Sequence, residues 1–226
     1  MPLLNKVYDF HSHTFFSDGV LGPAELAQRA RRNGYEVLGI TDHADSSNLA
    51  HCVSGALRAA AALTEAYPGF TVLPGVELTH APPRQLPDLI REARVLGAAL
   101  VVVHGETPAE PVEPGTNLAA LKGGCDILAH PGFISGHDAK LAAEKGIYLE
   151  ISARAGHSLT NGFVANAARK AQAPLLVNSD AHAPEDLLTP EWQRKVALGA
   201  GLSDEEYLAA QANGRELFAK IRKGPN

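Results

Sequence analysis

The sequence predicts one α/β barrel domain spanning residues 1–226, and three observations lead there. Short apolar runs alternate with amphipathic stretches from one end of the chain to the other. That alternation implies right-handed βαβ crossovers, which leaves a barrel or an open doubly wound sheet. The runs are almost continuously hydrophobic, as suits parallel strands covered on both faces. An open sheet would carry a Gly-rich turn after its first strand, whereas Phe10-His11-Ser12-His13 stands there. A full eight-unit barrel takes ~250 residues, so seven units in 226 residues point to a smaller or distorted one.

Taken in order, Val7–Phe10 is the first expected strand. Pro23–Asn33 reads as a helix, with Pro in its first turn and Gly34 as its stop. Val37–Thr41 is the second strand, and the Ala-rich stretch Ala56–Leu63 is a strong helix former. After a third strand at Thr71–Val76, the residues Leu86, Leu89, Ile90, Ala93 and Leu96 fall at helical spacing, with Gly97 at the C-cap. Further strands are expected at Ala99–Val103, Asp126–Ala129, Ile147–Ile151 and Pro174–Asn178. Thr189-Pro190 opens one helix, and Ser203-Asp204-Glu205-Glu206 has capping-box spacing ahead of another. No internal repeat or Pro/Gly/Ser linker divides the chain.

Hydrophobic residues at 45% and charged residues at 20% exclude disorder by composition. A net charge of −5 argues against an extended nucleic-acid surface. Apolar runs such as Ala98–Val103 are far short of a membrane span. With no leader-like pattern at Met1–Leu21 and two cysteines, Cys52 and Cys125, the expected location is cytoplasmic. Ten histidines, in a chain with one Met and one Trp, are the compositional oddity.

Those histidines fall at strand ends. The first strand runs into His11 and His13, with Asp18 just beyond, and the second into Asp42-His43. Glu77, His104 and His130 follow the third, fourth and fifth, and Asp180 and His182 the seventh. In an α/β barrel all these ends converge on one face. His11/His13 and Asp180/His182 are i, i+2 pairs, so each pair can point to one side of an extended segment. Imidazole and carboxylate donors without thiolates suit zinc, manganese or iron. One catalytic ion uses roughly three protein ligands, so His11, His13, Asp18, His43, Glu77, His104, His130, Asp180 and His182 suit two or three divalent ions. A lone His–X–His pair is commonplace and Asp42 reads as a turn or cap group; coincidence at six strand ends is a much weaker explanation.

The ordered motifs His11-Ser12-His13-Thr14-Phe15-Phe16-Ser17-Asp18-Gly19, Thr41-Asp42-His43, Pro74-Gly75-Val76-Glu77, Ile127-Leu128-Ala129-His130-Pro131 and Ser179-Asp180-Ala181-His182 resemble those of the polymerase and histidinol phosphatase (PHP) superfamily. The resemblance implies a distorted TIM-like (β/α)7 barrel and phosphoester hydrolysis. It further implies one ion on His11, His13, Glu77 and Asp180, a second on Asp18, His43 and His182, and a third on Glu77, His104 and His130. Catalysis would rest on His11, His13, Glu77, Asp180 and His182, with a hydroxide bridging the ions as nucleophile. Nothing long enough for polymerase activity follows the motifs. Neither Glu77–His80 nor Ser152–Gly162 maps to a known substrate pocket.

Divalent ions would outweigh the charge of Asp18, Glu77 and Asp180, so an acidic chain can still take a small phosphorylated metabolite or nucleotide. Arg154 is the first choice for the phosphate, because its guanidinium is a bidentate fork; a surface ion pair is the alternative. His157 and His80 are weaker candidates for phosphate contact or leaving-group protonation. Glu150 either orients a ligand or is a satisfied buried carboxylate. His51 and His137 read as surface residues. Residues 105–117, with Pro108, Pro111 and Pro114, read as a stiff loop that is either a lid or a solvated connector. Two other functions compete: a metal-dependent amidohydrolase, against which no Lys ends an expected strand, and a non-catalytic metal-binding regulatory module.

Overall fold

A computed structural model describes residues 6–223. Its strands β1 (Val7–Asp9), β2 (Tyr35–Ile40), β4 (Thr71–Leu78), β5 (Leu100–His104), β6 (Ile127–Ala129), β7 (Tyr148–Ser152) and β8 (Leu175–Asn178) pair in that order, every neighbour parallel. Each expected strand is present within two residues of its anticipated bounds. A further two-residue strand, β3 (His43–Ala44), pairs with β4 and sets His43 opposite Glu77. No apolar run announces β3, because its pairing partner rather than its composition makes it a strand.

The ring is nearly closed. Between β8 and β1 the seam is made by the segments that follow them, not by the strands. Ser12 bridges Ala181, the Asp180 N–H donates to the His11 carbonyl at 3.0 Å, and the His13 N–H donates to the Ala181 carbonyl at 2.8 Å. The chain is thus a distorted, TIM-like α/β barrel.

Eight helices cover the ring among the described residues. α1 (Pro23–Arg32), α3 (Leu86–Val95), α7 (Pro190–Gly199) and α8 (Asp204–Lys223) match their sequence signals. Thr189 caps α7 through the Trp192 N–H, and Ser203 and Glu206 exchange the reciprocal bonds of a capping box at α8. α2 runs longer than expected, Leu49–Ala66. α4 (Thr116–Gly123), α5 (Gly136–Lys145) and α6 (Asn161–Ala171) carry few large apolar residues. They bury small faces such as Ala139/Ala142 and Ala165/Ala168, so their periodicity is faint in the sequence.

Alternation along the strands divides the core in two. Leu100, Val102, Ile127 and Leu176 point into the barrel with Phe10 and Tyr8, while Val101, Val103, Leu128 and Val177 pack under the helices. Leu217 of α8 joins the interior set. There α8 passes β1 so closely that a Cβ on Gly214 would lie 3.2 Å from Tyr8 Cβ. Among the described residues, no helix is long and apolar enough to cross a membrane.

Candidate metal centre

The seam that closes the barrel also aims its histidines. The Ser12 hydroxyl donates to the Gly39 carbonyl at 2.6 Å. With Ser12 held outward, His11 and His13 turn to the same inner side. His11 Nε2 lies 3.3 Å from Glu77 and 3.7 Å from Asp180; His13 Nε2 lies 3.6 and 3.3 Å from the same carboxylates. His130 Nε2 is 3.6 Å from each of them. The loop after His13 is fastened by Asp42, whose carboxylate accepts from the Thr14 N–H at 2.7 Å, the Thr14 hydroxyl at 2.8 Å and the Ser17 hydroxyl at 2.8 Å. That turn brings Asp18 to His182 Nε2 at 3.2 Å and His43 Nε2 at 3.5 Å.

A partner on Nδ1 orients most of these rings. His11 Nδ1 meets Glu150 at 2.8 Å, His43 Nδ1 meets Thr79 Oγ1 at 2.6 Å, and His157 Nδ1 meets Thr107 Oγ1 at 2.9 Å. His104 and His182 use Nδ1 on the carbonyls of Gly105 and Asp180, at 3.1 and 3.0 Å. A carbonyl only accepts, so the proton sits on Nδ1 there and Nε2 presents its lone pair. This is how metal-binding imidazoles are held.

The residues fit divalent cations on two grounds. First, buried polar atoms almost always find partners, yet His11 Nε2, both nitrogens of His13, both oxygens of Glu77, His130 Nδ1 and Asp180 Oδ2 have no hydrogen-bond partner. Second, Asp9, Glu77, Glu150 and Asp180 are wholly buried with no buried Lys or Arg among them, and uncompensated buried charge costs several kcal/mol per ion. The strain shows in proton affinities. Burial pushes Asp180 well up, and at Glu77 the neighbouring imidazoles overcome burial and hold the carboxyl well down. Burial would lower His11, but Glu150, Glu77 and Asp180 outweigh it and keep the ring well above its ordinary value. His130 and Asp180 also sit at φ +25° and +54°, and strained backbone of this kind concentrates at functional sites.

Donor atoms converge in five overlapping groups: His13/Asp18/His43/His182, His11/His13/Asp180, His11/Glu77/His130, His104/His130/His157 and His80/His104/Glu110. All nine expected ligands take part. The third set differs from the expected grouping of Glu77, His104 and His130. Glu77 joins His11 and His130, whereas His104 joins His157 and His130, because His157 stacks on His130 with ring centroids 4.0 Å apart. Arg154 reaches the Asp180 carbonyl at 3.5 Å and Asp186 at 3.8 Å. His51 and His137 are exposed on α2 and α5.

Three contributors lie outside the expected set. Asp9 accepts from the His11 N–H at 3.3 Å, the Ser179 N–H at 3.1 Å and the Tyr35 hydroxyl at 2.8 Å, bracing the seam. Asn178 accepts from the Phe10 N–H and donates to Glu150. Glu110 reaches from the Pro-rich loop to His104 Nε2 at 3.1 Å. An aspartate inside an apolar strand is a signal that could have found Asp9.

The PHP domain family model matches residues 9–112. The chain is 49% identical to an uncharacterized protein of Methanocaldococcus jannaschii, over 88% of this chain and 92% of that one. It is 31% identical to ribonuclease P protein component 3 of Methanosarcina mazei, over 97% and 92%. A probable phosphatase of Thermoanaerobacter sp. strain X514 is 28% identical over 97% of both chains. In fold the chain resembles a Xaa-Pro dipeptidase with bound methionine in its active site, with a TM-score of 0.61, 12% identity, and coverage of 95% and 75%.

Proposed function

The chain belongs to the PHP superfamily, and from that premise we propose that it is a hydrolase acting on phosphoesters of a small metabolite or nucleotide, with two or three divalent ions at the strand ends. One observation carries the reading: the buried imidazole and carboxylate atoms left without partners converge where the loops begin. His11, His13, Glu77 and Asp180 would hold one ion, Asp18, His43 and His182 a second, and His104 and His130, with His157 beside them, a third. Ions bound there supply Lewis acidity at phosphorus and lower the pKa of water from 15.7 toward ~7.

The chain's own groups do the rest. Glu150, Thr79 and the Gly105 and Asp180 carbonyls hold their rings rotated with Nε2 inward. Arg154, anchored at the Asp180 carbonyl, keeps further guanidinium hydrogens for the substrate phosphate. The phosphatase description of the Thermoanaerobacter relative supports the substrate class. A cytoplasmic location agrees with two buried free thiols.

The reading is tested by elemental analysis and a substrate screen. Protein reconstituted with zinc, manganese or iron should carry two or three ions per chain and hydrolyse a phosphomonoester or phosphodiester. Less than one ion per chain, or turnover confined to amides and lactones, would overturn it.

A further inference from the structure

The loop between β5 and α4 holds a second kind of donor set. Its two ends are tied together: Glu106 Oε1 accepts from the Gly115 and Asn117 N–H groups, each at 2.9 Å, and Asn117 Oδ1 accepts from the Glu106 N–H at 3.0 Å. Between these ties the loop sends Glu110 back to the histidines. One carboxylate there meets His104 Nε2 at 3.1 Å, His80 Nε2 at 3.3 Å and His157 Nε2 at 3.6 Å. His80 follows β4 in the left-handed region, at φ +52°, a conformation that costs a non-glycine residue energy.

The contact between Glu110 and His104 suits a cation between the two groups. His104 carries its proton on Nδ1, bonded to the Gly105 carbonyl, so its Nε2 lone pair faces a carboxylate lone pair. A second proton on His104 could bridge these atoms, but it would place a charged ring within a packed imidazole cluster, with centroids 4.4 Å (His130), 5.0 Å (His80) and 5.7 Å (His157) away. One divalent ion does the same with the rings neutral, and two imidazoles with a carboxylate are an ordinary donor set for it.

We propose that Glu110 and His80 are additional donors to the outermost ion, the one on His104, so that metal binding fastens loop 105–115 across the end of the barrel. This rests on the metal-centre reading. Neither residue belongs to the nine expected ligands, and the loop therefore becomes a lid whose closure depends on the metal.

The test uses whole protein stripped of metal and titrated with zinc, alongside Glu110→Gln and His80→Ala. Equilibrium dialysis reads ion number and affinity, and hydrogen exchange reads the protection of residues 105–115. Wild type should gain loop protection as its last ion binds. Each variant, with an unchanged circular dichroism spectrum, should keep its inner ions, bind the last about 10-fold or more weakly, and gain no loop protection. Variants that match wild type in both readouts would overturn the latch while leaving the centre standing. A wild type that takes up no ion would overturn both.

Discussion

Glu150→Gln probes how the barrel prepares its donors. Glu150 is wholly buried, with Oε2 at 2.8 Å from His11 Nδ1 and 2.9 Å from Asn178 Nδ2, while Oε1 has no partner. Glutamine can keep both hydrogen bonds through its amide oxygen, so ring orientation survives and the charge alone is lost. A charge-assisted hydrogen bond is roughly twice as strong as a neutral one. Removing a group that orients a metal-binding histidine typically costs about 10- to 100-fold in affinity, or about 1.4–2.8 kcal/mol. Without metal the sign differs. The substitution removes one of several clustered buried carboxylates, which offsets the roughly 1–3 kcal/mol of an amide N–H left unpaired. Metal-free stability should therefore stay within about 1 kcal/mol of wild type. Chelator competition gives the affinity, and thermal melts of stripped and loaded protein give the two stabilities. An ion affinity within about twofold of wild type would refute the reasoning.

Asp180→Asn keeps the shape of the seam but removes a shared carboxylate, and should lower phosphoester turnover by at least about 100-fold with the fold intact by circular dichroism. Arg154→Ala should raise KM about 10-fold or more with little change in kcat; its part-exposed contact with Asp186 at 3.8 Å contributes little to stability, so a lowered Tm alone would count against substrate contact. Burial pushes the Cys52 thiol up to about 11 from 9.0, so the unfolded chain ionises first. That contribution to stability is intact below pH 9 and lost as pH rises toward 11. At pH 8 Cys52 should resist a thiol reagent until denaturant is added, which absorbance of the released chromophore reads directly.

The strands were legible because each is a short, nearly unbroken apolar run, buried on both faces. α4, α5 and α6 were less so, since faces such as Ala139/Ala142 give weak periodicity. Asp42 needed only its neighbours: a turn-forming acid before His43 is a turn group in the structure too, holding Thr14 and Ser17. Glu110 was out of reach. It lies in a loop with Glu106 and Glu113, and nothing in residue order marks which of the three turns inward.

By itself, then, the sequence determined the parallel barrel and which nine candidate donors gather at one of its ends, because strand period and chain order set where each strand ends. Tertiary structure alone decided which donors share a position. His157 stacks on His130, the short β3 sets His43 opposite Glu77, and the β8–β1 seam turns two i, i+2 pairs toward one another. Spacing along a chain fixes which side of a strand a residue occupies. Distances between residues on different strands follow only from how the ring closes.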